Sequence, residues 1–158
     1  MRGKSAVKRV LENDPIYNSR LVTRFINKIM KDGKKSVAQR LVYDALAQIE
    51  QATGKNPLST FDAAIANVSP KMEVRPRRVG GASYQVPTEV RGDRKEALAI
   101  RWLIAAADSR SNKEYKSFSK KLAAEILDAA KGTGVAIKKK EDTLRMAESN
   151  RAFSHFRW

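Results

Sequence analysis

Arg75, Arg77 and Arg78 lie within one short stretch, and Tyr84 follows six residues later. A guanidinium is a planar fork of donors that matches phosphate and stays charged at physiological pH. A tyrosine ring can stack on a base or cover a sugar. This combination suits a phosphate-bearing, base-bearing partner. The plain alternative is a solvated charged edge that blocks strand-to-strand aggregation. It accounts for the charges but not for three arginines with so few acidic neighbours. Arg91, Arg94 and Lys95 extend the same basic stretch.

A second set surrounds a turn. Lys31, Lys34 and Lys35 flank Asp32-Gly33, where one amphipathic segment ends and another begins. Free N–H groups at the start of a helix, together with two lysines, offer a seat for phosphate. Lys31 alone also suits the dipole at the end of the preceding helix. Arg2, Lys4, Lys8 and Arg9 have few apolar partners and read as a flexible arm able to thread along a polyanion. Lys113, Lys116 and Lys120 recur at helical spacing and suit either a solvated face or an anion contact. Lys138-Lys139-Lys140 precedes Glu141-Asp142, which can neutralise part of it. The chain finishes with Phe153, Phe156 and Trp158 among Arg151, His155 and Arg157. These aromatics either tuck back onto the core or meet a neighbour's surface or nucleobases.

Composition agrees with such a partner. Among 158 residues, 32 Lys and Arg face 17 Asp and Glu, a formal net charge of +15. That surplus repels itself unless a polyanion neutralises it. It is also blocked: ten basic and three acidic side chains in 1–35, seven and three in 71–95, and seven and three in 131–158. The segments between are nearly neutral and read as core helices.

Other chemistry finds little material. There is no cysteine and a single histidine, so thiolate metal sites, disulfides and His-rich centres are excluded. Gly132-Thr133-Gly134 lacks the strand and third glycine of a dinucleotide loop, and no Gly-Lys-Ser/Thr loop occurs. No nucleophile, base and orienting group come together, so neither an enzyme nor a cofactor is expected. No apolar run approaches the roughly 20 residues that cross a bilayer, and no segment has the apolar core of a signal peptide. A soluble intracellular protein is expected, with an organellar origin left open.

The elements that must hold these residues follow from periodicity. Ser19 caps a helix whose apolar face is Leu21, Val22, Phe25, Ile26, Ile29 and Met30, closed by Gly33. A second helix opens near Ser36 with Val37, Leu41, Val42, Ala45, Leu46 and Ile49 inward, and stops at Gly54. Asn56-Pro57 starts a third, which carries Phe61, Ile65 and Val68 and halts before Pro70. Residues 72–90 change to a strand pattern around Gly80-Gly81, a β-hairpin whose Pro76 and Pro87 demand edge strands. It is expected to project from the body and to be steadied by a partner. Asp93 and Glu96 resemble a capping box for a fourth helix, Ala97 to Ala107, apolar nearly all round and therefore expected at the centre. A fifth runs from about Lys113 to Ala130 with Phe118, Leu122, Ile126 and Leu127 inward. A polar sixth segment runs from Val135 to Phe153 with Ile137, Leu144 and Ala147 inward. The expected fold is mainly α: a bundle of about six helices with a protruding hairpin between the third and fourth. It forms one domain over 1–158, with a basic arm at 1–18 and a tail at 150–158.

Several of these motifs resemble a known family. Ser19, Leu21, Phe25-Ile26, Gly33-Lys34-Lys35, Leu41-Val42 and Ala45 resemble the signature of ribosomal protein seven of the small subunit. So do Met72 to Gly81 with Tyr84-Gln85-Val86-Pro87, the stretch Arg101-Trp102-Leu103, and the tail from Asn150 to Trp158. The form is similar to the bacterial or organellar one, though the start Met1-Arg2-Gly3-Lys4 is shorter than the usual bacterial beginning. The resemblance implies a helical bundle with a hairpin arm. It implies a primary binder of the 3′ major domain of small-subunit ribosomal RNA that nucleates assembly of the subunit head, with ribosomal proteins nine and eleven as neighbours. It also implies that the hairpin and C-terminal region approach transfer RNA and messenger RNA near the exit site. In this chain those are Arg78, Tyr84, Arg151, Phe156, Arg157 and Trp158. Two rival readings also fit the charge: a DNA-binding protein with helices in a groove, and a magnesium-dependent nuclease using Asp93 and Glu96. Membrane attachment is weaker, because no helix pairs a strongly apolar face with a basic one.

Overall fold

The structure, a computed structural model, describes Gly3 and residues 10–156. Six α-helices, one hairpin and a terminal 3-10 helix follow in order: α1 (Arg20–Ile29), α2 (Lys35–Thr53), α3 (Pro57–Val68), β1 (Met72–Val79), β2 (Ala82–Glu89), α4 (Asp93–Ser109), α5 (Phe118–Ala130), α6 (Val135–Ser149) and the 3-10 helix Arg151–Phe156. The mainly helical fold with a hairpin between the third and fourth helices is the expected one.

Local chemistry sets most of the boundaries. The Val22 N–H donates to Ser19 Oγ at 3.5 Å, so Ser19 caps α1 as expected. Leu58 N–H donates to Asn56 Oδ1 at 2.9 Å, with Pro57 at the first helical position. Gly54 closes α2 at φ +63°. Helix α1 ends earlier than Gly33, at Ile29, where the Met30 N–H bonds the Ile26 carbonyl. Asp32 and Gly33 both have positive φ and instead bend the chain towards α2.

The core is built from one stripe per helix. Val22, Phe25 and Ile26 meet Val42, Leu46 and Ile49, with Phe61, Val68, Leu103, Leu122 and Ile126 closing around them. Phe25 and Phe61 lie 5.0 Å apart at 60°, a tilted aromatic pair. The central helix is α5, which packs against α2, α3, α4 and α6. Sequence patterning had favoured α4. Its Trp102 and Ile104 are only partly covered, and Arg101 is exposed. Val37 also departs from expectation and is exposed; Ala38 takes the inward position on α2.

Charged groups lie inside this core as well. Glu125 is fully buried. Its Oε2 accepts from Arg110 Nε at 2.7 Å, and its Oε1 accepts from the Ala136 N–H at 3.0 Å. Arg110 also donates to Asp128. Burial pulls the Arg110 guanidinium down, but hydrogen bonds to Asp128 and Glu125 and their charges outweigh it, and it is held more firmly protonated. Gly134, the N-cap of α6, has φ +99°, and a Cβ there would meet Glu125 Oε1 at 3.0 Å. Asp14 is buried too. It accepts from the Ile16 and Tyr17 N–H groups and from the Tyr43 hydroxyl at 2.7 Å. Residues 14–18 are thus a turn pinned to α2, where a plain arm was expected over 1–18.

Candidate nucleic-acid interface

The hairpin ladder runs from Met72↔Glu89 to Val79↔Ala82, closed by Gly80-Gly81 with φ of +56° and +87°. Two consecutive positive φ values are those of a type I′ turn, whose twist matches the strands. Side chains alternate across the sheet. Glu73, Arg75, Arg77, Tyr84, Val86 and Thr88 therefore share one face, while Arg78 and Ser83 point from the other. Both strands are edges, as the two prolines required. Val86 and Pro87 are buried at the root, where α6 packs on β1 and the 3-10 helix packs on β2. Arg77, Arg78, Gly80 and Gly81 stand exposed at the far end.

Two expectations change here. Arg75 does have an acidic neighbour: its Nε donates to Glu73 Oε1 at 2.5 Å. Arg94, from the first turn of α4, donates to both oxygens of the same carboxylate at 2.7–3.0 Å. Burial pushes the Glu73 carboxyl up, but hydrogen bonds and charge from Arg94 and Arg75 outweigh it and hold the group below the usual carboxylate range. Tyr84 is not an open platform either. Its ring lies against Phe153 and Phe156. Phe153 and Phe156 therefore tuck onto the hairpin and not onto the core.

The α1–α2 turn presents Lys31, Lys34 and Lys35, all exposed. Lys34 occupies the N-cap of α2 and Lys35 its first position; the first turn has neither a side-chain cap nor an acid. Beside it opens a cleft of about 450 Å³ lined by Ile29, Val37, Leu41, Ile104 and Phe118, with Lys28, Lys31 and Lys34 at its edge. Lys28 belongs to this set and was missed, although it precedes Lys31 by one helical turn. Lys113 and Lys116 lie on the loop between α4 and α5, two elements that line the same cleft. They are exposed but not helical, as spacing had suggested, because α5 begins only at Phe118 under a Ser117 cap. Arg91 is largely exposed and donates to Glu89. Lys95 is half-buried, and Arg151 is exposed at the start of the 3-10 helix. Arg2, Lys4, Lys8, Arg9, Arg157 and Trp158 fall outside the described residues.

Asp93 and Glu96 form no capping box. Gly92 is the N-cap and no side chain caps the helix. Both acids receive Arg24 of α1, at 3.1 and 2.5 Å, and so tie α1 to the start of α4. Among the described residues no group of three or more His, Cys, Asp or Glu side chains stands where it could hold a metal ion. Nor is any described helix long and apolar enough to cross a membrane.

The family model for ribosomal protein S7p/S5e matches residues 1–151. The chain belongs to that family. It is similar to small ribosomal subunit protein uS7 of Caldicellulosiruptor bescii, 58% identical over 151 residues, 96% of this chain and 95% of the relative. The protein of the same name from Lactococcus lactis subsp. cremoris is 54% identical over 158 residues, the whole of both chains. That from Thermomicrobium roseum is 58% identical over 151 residues, again 96% and 95% of the two lengths. The family is one of structural ribosomal proteins, not of enzymes.

Proposed function

We propose that this chain is a structural constituent of the small ribosomal subunit and a primary binder of the 3′ major domain of its 16S-type RNA. In this role it nucleates assembly of the subunit head and neighbours ribosomal proteins nine and eleven. Its hairpin and C-terminal region lie near transfer RNA and messenger RNA at the exit site. The family match over residues 1–151 carries this reading. The named relatives are bacterial small-subunit proteins, which supports a place in the cytoplasmic ribosome.

The mechanism is electrostatic and geometric. Each lysine or arginine that meets a phosphate releases condensed counterions. The α1–α2 turn, the α4–α5 loop, the residues after the hairpin and the hairpin itself supply those cations, together with the basic residues of the N-terminus. The helical body fixes their spacing, so the shape of a folded RNA selects among polyanions. The whole chain acts as one RNA-binding domain.

A filter-binding titration separates this from general polyanion affinity. The protein is expected to prefer a 3′-major-domain transcript over a 5′-domain transcript and over duplex DNA at equal salt. Affinity is expected to fall steeply as salt rises, since six to ten phosphate contacts cost about 10³–10⁵ between 50 and 200 mM. Equal affinity for all three nucleic acids, or a flat salt response, would overturn it.

A further inference from the structure

We infer that Glu73, an acid on a basic face, is a positioning residue for RNA binding: its buried carboxylate aims Arg75 and Arg94 so that their remaining donors face one phosphate-bearing surface. The inference rests on the RNA-binding function proposed above.

An exposed carboxylate among arginines would repel a polyanion and lower affinity. Glu73 is arranged otherwise. It is 6% exposed, whereas the side chains of Arg75 and Arg94 are each 48% exposed. Its two oxygens are filled from inside the fold. Arg94 uses Nε and Nη2, and Arg75 uses Nε alone. A guanidinium has five N–H donors. Both terminal nitrogens of Arg75 and the Nη1 of Arg94 therefore keep donors that have no partner among the described residues. One negative charge holds two positive ones, which leaves the cluster cationic.

The two arginines come from different elements, β1 and the first turn of α4. Without a shared acceptor nothing would set the angle between their planes. A free arginine side chain samples many rotamers. A fixed fork has already lost part of that freedom before RNA arrives, which is the general benefit of preorganisation.

Simple electrostatics and positioning give opposite signs. Removing an acid from an RNA-binding surface should tighten binding. If Glu73 aims the arginines, Glu73→Gln weakens affinity for the 3′-major-domain transcript by about tenfold, and the slope of log affinity against log salt becomes shallower by about one contact. Hydrogen exchange at the hairpin amides stays as in the parent protein. The weakening disappears when Glu73→Gln is made in an Arg75→Ala/Arg94→Ala background, because Glu73 then has nothing to aim. Glu73→Asp keeps the charge and the fold but shortens the reach, and it too weakens binding, by about threefold. Unchanged or tighter binding by Glu73→Gln or Glu73→Asp would overturn the inference, and so would an undiminished loss in the double-alanine background. Weakened binding with a matching loss of hairpin amide protection would also overturn it, since Glu73 would then be only an anchor for the strands. Failure of the unaltered protein to bind the transcript counts against the proposed function instead.

Discussion

The ring of Tyr84 on β2 lies 5.1 Å, centroid to centroid, from that of Phe153 in the C-terminal 3-10 helix. Phe156 sits 5.3 Å away from the same tyrosine. A two-stranded hairpin is marginal in water by itself, and these contacts supply part of what it lacks. Each such aromatic pair contributes about 0.5–1.5 kcal/mol beyond the area it covers. Truncation after Asn150 is therefore expected to raise hydrogen exchange at the β2 amides about tenfold while leaving α5 unchanged. Protection in β2 that survives the truncation would show that α6 alone steadies the hairpin.

Arg110 and Glu125 form an inside pair. The side chain of Arg110 is 14% exposed and that of Glu125 not at all. Removing one partner of a buried ion pair strands the other and costs about 3–5 kcal/mol. Arg110→Ala should lose about that much stability in urea, with RNA affinity unchanged in the folded fraction. A loss below about 1 kcal/mol would place the pair with surface ion pairs.

Tyr43 gives the alkaline limb a signature. Burial, then the hydrogen bond to Asp14 and the Asp14 charge, push its phenol up from the ordinary value near 10 to about 12. A group whose folded value is raised contributes stability that is fully present below its unfolded value. That stability is lost as pH rises through the folded one. The window is thus about pH 10 to 12. Phenolate absorbance from Tyr43 should appear late, near the top of that window. In Asp14→Asn it should move towards 10, and stability above pH 10 should fall less. Titration of Tyr43 at the same pH in both proteins would dismiss the Asp14 contact.

Lys31 and Lys34 are exposed around the cleft beside the α1–α2 turn. Lys31→Ala with Lys34→Ala should weaken binding to the 3′-major-domain transcript and lower the salt slope by about two contacts. The thermal midpoint should stay within about 1–2 °C, since surface substitutions of this type usually fall within about 0.5 kcal/mol. An equal loss in midpoint and affinity would show the lysines to be structural. A reduced affinity with an unchanged slope would show that they meet no phosphate.

Much of this architecture was legible because it is local. Ser19, Asn56-Pro57 and Gly54 each fix a boundary through bonds within a few residues. Gly80-Gly81 fixes the hairpin register through backbone angles. Errors arose where a distant residue decided the outcome. Asp93 and Glu96 satisfy the spacing of a cap, yet Arg24, about 70 positions earlier, takes both acids. Arg75 is different: its acid, Glu73, stands only two positions earlier on the same strand face, and only the Arg94 contact with that carboxylate needs the chain to turn back through the hairpin. Helix α5 is more completely buried than α4, because apolar content says what must be buried but not how much of each helix its neighbours cover. The basic clusters themselves were readable as residue types. The arrangement of Lys28, Lys31 and Lys34 around the cleft required the packing of α1, α2, α4 and α5.

The carboxylate of Glu125 also bears on the order in which the chain can be built. Helix α6 has no side-chain cap of its own at Gly134, and its early Ala136 N–H is satisfied from α5, eleven residues back. A short helix is costly to nucleate without such help. A synthetic peptide covering 131–149 should therefore stay largely coil in water. In the growing chain this segment gains that acceptor only once α5 is in place, so α6 is expected to form after α5.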